Sequence, residues 1–243
     1  MLPFITLFGI RVDSALFFWG IGIIAAQAYY QTLGKKYGFR WYQSLVFGFS
    51  FLIFEIIGAK ILYIAESFNS VLENGIGFSG FSFFGIMFSV PLLVWVLSKF
   101  VKIPFGKLMD FASVGILFEL AFYRIGCTCA GCCRGLPFSF GMVYPSGETL
   151  FPVQPIEASL DIILAVVLIV LYSKKKLRNG EQYLLYMSGY GAIRFILEFL
   201  RERDFIIGVF SLSHVWAALA FSIGVLLLIC SRGKNKCKKD NSI

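Results

Sequence analysis

The sequence has one histidine, His214, and few charged residues of either sign. Charged side chains make up 15% of the 243 residues, hydrophobic side chains make up 58%, and the mean hydropathy is +0.79. A single histidine excludes every catalytic or metal site that needs two histidines. Soluble domains carry far more charge than this, so the composition indicates a polytopic membrane protein.

Other features are absent as well. Internal repeats, low-complexity segments and a separable soluble domain are not visible, and residues 1–10 lack the basic start and small-residue cleavage site of a signal peptide, so we expect none. The net charge of +8 does not indicate a nucleic-acid surface, because in a membrane protein it reflects the bias of the loops. We therefore expect no nucleic-acid partner.

Seven apolar runs are candidates for membrane spans. They predict an all-α fold with seven transmembrane helices in one membrane domain, residues 1–231, followed by a basic cytoplasmic tail, residues 232–243. The runs lie near residues 14–32, 42–64, 78–98, 108–125, 156–172, 183–200 and 212–230.

Lysine and arginine predict the orientation. Fifteen of the 22 basic residues lie in alternate connections and in the tail, which places the C-terminus in the cytoplasm and the N-terminus outside. Residues 126–155 then form the longest outer loop. Its prolines and aromatic residues favour packing at the membrane interface over disorder.

Four of the six cysteines lie in the segment RIGCTCAGCCRG, residues 124–135. Its small residues, among them Gly126 and Gly135, allow backbone to approach backbone or a ligand. Three interpretations are open. The segment is a packed turn, with or without a Cys127–Cys132 disulfide; it holds a thiol made reactive by a neighbouring arginine; or it holds a metal in four thiolates.

Ionisable residues inside the predicted spans form a second group, and a membrane tolerates them only when they are paired or hydrated. Arg194 and Glu198 are one helical turn apart and are spaced to pair. Together these residues indicate a polar cavity near the outer leaflet, in which Arg124 and Arg194 are suited to a phosphate group. The group is Glu55, Lys60, Glu119, Arg124, Glu157, Asp161, Arg194 and Glu198.

Several motifs, in the same order along the chain, resemble those of the prolipoprotein diacylglyceryl transferases. They are RIG at 124–126 with the small-residue run to Gly135, FPVQPIE at 151–157, YGAIR at 190–194, and EFLR at 198–201 followed by Asp204. SFFG at 82–85 falls where the family has Ser-x-His-Gly-Gly. The resemblance covers nearly the whole chain.

The resemblance implies an enzyme of the bacterial cytoplasmic (inner) membrane. It would transfer a diacylglyceryl group from phosphatidylglycerol to the lipobox cysteine of a prolipoprotein, without a cofactor, and glycerol phosphate would leave. On this basis we predict a catalytic set and a substrate-binding set. The catalytic set is Arg124, Arg194, Tyr190, Cys127 and Cys132; the substrate-binding set is Gly126, Gly135, Gln154, Glu157 and Glu198.

This chain departs from the family pattern at several polar positions. Phe84 and Phe151 stand where the family has histidines, and Cys127 and Cys132 stand at its usual Asn and Glu. Another group must then take the proton of the acceptor thiol, and a thiolate at Cys127 or Cys132 is the predicted replacement.

The single histidine, His214, is a candidate base by location only, and a structural role at a helix end is the favoured interpretation. Two other functions are weighed. One is a non-catalytic redox or metal-binding protein that uses the outer cysteine loop. The other is a transporter, which is disfavoured because the inner half of the bundle has few polar residues.

Overall fold

The computed structural model describes residues 1–7, 9–68, 71–72, 75, 81–202 and 210–240, with side chains as far as residue 233. Asp204 of the fourth motif and most side chains of the predicted tail lie outside the described residues. The helices are α1 (Ser14–Tyr37), α2 (Trp41–Glu66), α3 (Phe83–Phe100), α4 (Phe105–Ala130), α5 (Val153–Ser173), α6 (Glu181–Glu198) and α7 (Leu212–Asp240).

Every predicted apolar run corresponds to one of these helices. Among the described residues, four helices are long and apolar enough to cross a membrane: α2, α3, α5 and the Leu212–Gly233 part of α7. A mostly helical membrane protein is thereby supported. The ends differ from the prediction by several residues at places: α4 continues to Ala130, and α7 continues to Asp240.

The prediction of an all-α fold is incomplete, because two short antiparallel hairpins accompany the helices. Strand β1 (Phe4–Leu7) pairs with β2 (Ile10–Asp13), and β3 (Pro137–Val143) pairs with β4 (Thr149–Leu150). The second hairpin lies in the predicted outer loop. Its turn closes through Gly147, whose φ of +83° suits glycine.

The described residues divide into two compact units. Unit 1 comprises Met1–Ala26 and Ser113–Ile243, and unit 2 is Gln27–Ala112. In unit 1, α5 packs on α6 and α6 packs on α7. In unit 2, α2 packs on α3.

Unit 2 is held together by aromatic rings. Phe111 is completely buried, and its ring centroid lies 4.4 Å from that of Phe39 and 4.8 Å from that of Tyr30. Such ring pairs add stability beyond the burial of their area. We call this group the aromatic cluster; its members are Tyr29, Tyr30, Tyr37, Phe39, Phe47 and Phe111.

Unit 1 relies on small residues where its helices approach one another. A Cβ at Gly126 of α4 would lie 2.6 Å from the Cα of Ala15, and one at Gly191 of α6 would lie 2.7 Å from the backbone nitrogen of Phe221. Any larger side chain would force these helices apart. These close approaches fix α4 against α1 and α6 against α7.

Candidate active site

Glu157, near the start of α5, forms ion pairs with two arginines that are distant in sequence. Its Oε2 lies 3.0 Å from Nε of Arg124 on α4 and 3.0 Å from Nη1 of Arg194 on α6. Glu157 is completely buried, and each arginine is at most 6% exposed. One carboxylate therefore holds two guanidinium groups side by side in the interior of unit 1.

Glu198 extends this arrangement by one turn of α6. Its Oε2 lies 2.8 Å from Nη2 of Arg194, which confirms the predicted pairing one turn apart. The same oxygen lies 3.8 Å from Nη1 of Arg201, and Ser211 donates a hydrogen bond of 2.9 Å to Oε1. We call Arg124, Glu157, Arg194, Glu198 and Arg201 the polar network.

The polar network is a cluster of buried ions. It has three guanidinium groups and two carboxylates, and every member is buried. Buried guanidinium groups are costly unless counter-charges meet them. The network is therefore suited to an anion.

Tyr190 of α6 contacts this network. Its hydroxyl donates a hydrogen bond of 3.4 Å to Oε1 of Glu157, and its ring is fully buried. Tyr190 thus contacts the carboxylate that organises the arginines. The predicted site residues of α4, α5 and α6 are brought together here.

Gln154 connects α5 to the outer loop. Its side-chain nitrogen donates to the carbonyl oxygen of Cys132 at 2.6 Å and to the hydroxyl of Tyr144 at 3.0 Å. The guanidinium of Arg134 covers the ring of Tyr144 at 5.3 Å. These contacts tie the start of α5 to the loop that carries Cys132.

Gly135 is placed by backbone pairing. It forms an isolated bridge with Arg201, and beside it the amide of Leu136 donates to the carbonyl of Leu200 at 2.9 Å. A Cβ at Gly135 would collide with the carbonyl oxygen of Phe151. Gly126 and Gly135 therefore have packing reasons to be glycine, independent of any substrate.

The end of α4 gathers three thiols. The Sγ atoms of Cys127, Cys132 and Cys133 lie within 4.8 Å of one another, and we call them the thiol cluster. The chain folds back at Gly131, with φ +73°, and Cys133 itself has φ +57°. A positive φ is uncommon for a residue other than glycine, and here it turns the sulfur towards the last turn of the helix.

Cys129 is not part of this group among the described residues. All five described cysteines are free thiols, and Cys237 lies outside the described side chains. The interpretation as a four-thiolate site is therefore wrong for the described segment, because Cys129 lies two residues after Cys127 and points to another face of the helix.

The thiols of Cys132 and Cys133, which follow α4, differ in the direction of their pKa shifts. Hydrogen bonds from Cys127 and Cys132, together with the charges of Arg124 and Arg201, lower the pKa of the Cys133 thiol well below its ordinary value. The pKa of Cys132 is raised to about 11; its hydrogen bond with Cys127 lowers it, but that with Cys133 and burial outweigh this effect.

His214 lies at the start of α7, at the helix end that the sequence indicated. Its Nδ1 accepts a hydrogen bond of 3.0 Å from the backbone amide of Ser211, at the start of α7. Phe84 belongs to unit 2, where it is buried and stacks on Phe88 with ring centroids 6.4 Å apart.

Sequence reasoning did not include Cys133, Arg201, Ser211 and Tyr144 among the site residues. Two of them had a signal in the sequence, since Cys133 belongs to the cysteine segment and Arg201 ends the EFLR motif. Ser211 and Tyr144 had none, because their contacts with Glu198 and Gln154 arise only from the folded chain.

Comparison with known proteins agrees with the motifs. The family model described as prolipoprotein diacylglyceryl transferase matches residues 4–230. A phosphatidylglycerol–prolipoprotein diacylglyceryl transferase 2 of Clostridium perfringens is 29% identical over 95% of this chain and 95% of its own length.

Two other relatives carry the name phosphatidylglycerol–prolipoprotein diacylglyceryl transferase. The protein of Clostridium tetani is 30% identical, over 80% of this chain and 83% of its own. That of Dehalococcoides mccartyi strain BAV1 is 31% identical, over 74% of each chain. With the family model matched along nearly its whole length, the chain belongs to the prolipoprotein diacylglyceryl transferase family.

Proposed function

We propose that this chain transfers a diacylglyceryl group from phosphatidylglycerol to the cysteine thiol of a prolipoprotein. Its family and the names of its relatives support this activity. We also propose seven membrane spans, an outer N-terminus and a cytoplasmic C-terminus, in the bacterial cytoplasmic membrane. The distribution of lysine and arginine supports that orientation.

The observation that carries the proposal is the pair of buried guanidinium groups, Arg124 and Arg194, held side by side on one carboxylate. A phosphatidylglycerol head group brings one phosphodiester, whose negative charge suits such a pair. Guanidinium groups bind phosphate oxygens through paired N–H donors.

The reaction places further negative charge on this phosphate. When the acceptor sulfur bonds to the glyceryl carbon, the carbon–oxygen bond breaks and its electron pair goes to the phosphate oxygen. Arg124 and Arg194 would stabilise that charge, and they are positioned before the reaction begins. Burial strengthens such interactions relative to an exposed surface.

The remaining members of the predicted site hold these donors in place. Glu157 keeps the two guanidiniums side by side, Glu198 fixes Arg194 from the other direction, and Tyr190 donates to Glu157. Gln154 anchors the loop that carries Cys132. Gly126 and Gly135 let α4 and this loop approach their neighbours.

The acceptor thiol must also lose a proton. We propose that this happens at the thiol cluster, with Cys127 and Cys132 as members of the catalytic set. The cluster begins three residues after Arg124, on the same face of α4.

The activity is tested with purified protein, phosphatidylglycerol vesicles and a lipobox peptide. Mass spectrometry should show the peptide heavier by one diacylglyceryl group, together with free glycerol phosphate. A peptide with serine in place of the lipobox cysteine is the control. An unmodified cysteine peptide, with protein shown to be folded, would reject the transferase function.

The orientation is tested by thiol labelling of intact cells. Cys132 is exposed and should react with a membrane-impermeant reagent after mild reduction. A reporter introduced as Lys176→Cys, in the basic connection between α5 and α6, should react only after permeabilisation. The reverse pattern would invert the topology.

A further inference from the structure

The thiol cluster has the donor set and spacing of a site for a thiophilic metal ion. Cys127, Cys132 and Cys133 each present one sulfur, and the three Sγ atoms lie within 4.8 Å of one another. A tetrahedral zinc ion binds thiolates at about 2.3 Å, which sets neighbouring sulfurs roughly 3.8 Å apart. Shifts of less than about 1 Å would therefore bring all three sulfurs onto one ion.

The backbone around the cluster is shaped to bring the sulfurs together. The amides of Gly131 and Cys132 both donate to the carbonyl of Cys127, at 2.9 and 3.2 Å, so the chain reverses directly at the end of α4. Cys133 then adopts a left-handed conformation with φ +57°. Backbone strain of this kind is found where a side chain must point in a required direction.

Contacts from α5 and from the end of α6 also hold the backbone of the thiol cluster in place. Gln154 donates to the carbonyl of Cys132 at 2.6 Å, and the backbone beyond Cys133 pairs with the end of α6, where the amide of Glu202 donates to the carbonyl of Arg134 at 3.0 Å. Such supporting contacts hold metal ligands in their orientation. Cys127 is fully buried whereas Cys132 is exposed, so the group has a closed side and an accessible side.

We propose that Cys127, Cys132 and Cys133 bind one thiophilic divalent ion, with zinc as the expected metal, and leave its fourth position to the acceptor thiol. Three protein ligands and one open position are the arrangement of a catalytic zinc site. Thiolate ligands select zinc over hard cations such as magnesium or calcium.

The role of the fourth position rests on the proposed transferase function. When the acceptor sulfur binds the ion, its S–H bond breaks and the proton passes to solvent water, because a coordinated thiol is deprotonated. The thiolate then forms the sulfur–carbon bond while the carbon–oxygen bond to phosphate breaks, with the electron pair leaving on glycerol phosphate. No separate base is needed.

Metal binding is tested first, without reference to activity. The reduced protein is purified in detergent, loaded with zinc or with cobalt(II), dialysed and analysed for metal and for free thiols. We expect one ion per chain and, with cobalt, a thiolate-to-metal charge-transfer band in the near ultraviolet.

The matched control is another cysteine of the same segment. Cys129→Ser should keep full occupancy, because Cys129 lies outside the cluster. Cys132→Ser and Cys133→Ser should lower occupancy at least ten-fold, and since Cys132 is exposed its substitution should not prevent folding. Equal occupancy in all three variants would overturn the site, as would a metal-free wild type whose thiols are all reduced.

The open position is tested with the lipobox peptide. Its cysteine form should shift the cobalt band, whereas the serine form should not, and no shift with either peptide would overturn the role of the fourth position. Turnover of the metal-free, reduced protein should fall at least ten-fold and return on reloading with zinc. Full turnover without metal would overturn thiol activation. Stoichiometric metal with no turnover in any form would reject the transferase function and leave the metal site standing.

Discussion

The two units of this protein bury their interiors in opposite ways. Unit 2 contains the aromatic cluster, in which Phe111 is surrounded by the rings of five other residues. Unit 1 contains the polar network, in which two carboxylates are shared among three arginines. Both interiors are almost completely excluded from solvent.

The two interiors differ in what they contribute to stability. Burial of aromatic rings is favourable and ring pairs add to it, so the aromatic cluster stabilises its unit directly. Buried ions have a large desolvation cost, and well-packed hydrophobic residues in their place are often as stable or more so. The polar network is therefore weak evidence for stability, and it supports the proposed phosphate site.

The largest effect is expected from Glu157→Gln. The substitution removes the charge that both Arg124 and Arg194 contact at 3.0 Å, and leaves two buried guanidiniums to repel each other. Breaking a buried pair costs about 3–5 kcal/mol in the free energy of unfolding, and turnover should fall below detection. Chemical unfolding in detergent and the peptide assay measure the two effects.

Its control is Glu148→Gln. Glu148 pairs with Arg134 at 3.9 Å at the surface, with 60% of its side chain exposed, and such pairs contribute little. Its stability and turnover should remain close to those of the wild type. Equal losses in both variants would remove the distinction between the buried network and a surface pair.

Phe111→Ala should produce a comparable loss of stability without a specific loss of chemistry. Removing this ring leaves a cavity inside unit 2, and buried Phe→Ala substitutions cost about 3–5 kcal/mol. Turnover per folded molecule should be unchanged, as measured after correction for the folded fraction. If turnover per folded molecule collapsed, the aromatic cluster would have a role in the reaction.

Arg194→Lys should show the reverse pattern. The charge is retained but the paired N–H donors are lost, so turnover should fall roughly a hundred-fold or more while stability changes little. Arg134→Lys, at an exposed arginine, is the control and should be neutral in the same assay. A well-folded Arg194→Ala protein with unchanged turnover would remove Arg194 from the mechanism.

The smallest effect is expected from Asp161→Asn. Asp161 lies one turn after Glu157 and is completely buried, but among the described residues neither of its carboxyl oxygens has a hydrogen-bond partner. A buried carboxyl without partners is least costly as the neutral acid, which an amide resembles in shape and charge. Turnover should change by less than about two-fold. A loss as large as that of Glu157→Gln would assign Asp161 a role in binding.

Much of the site was readable from the chain because its signals are local. Arg194 and Glu198 are four residues apart on one helix, and their pairing follows from helical geometry alone. His214 was favoured as a helix-end residue and proved to be one. Which three of Cys127, Cys129, Cys132 and Cys133 lie together could not be predicted from the sequence, because this depends on a left-handed residue after the helix.

By itself, the sequence determined the membrane class, the places of the helices and the family, because hydropathy, charge and motif order are properties of short segments. The tertiary structure alone decided which groups distant in sequence meet. Glu157 bridges Arg124 and Arg194 over 33 and 37 residues, and Phe111 joins rings that begin at Tyr29. Such contacts follow from how helices pack. Packing depends on small residues such as Gly126, whose presence in the sequence does not indicate which helix they contact.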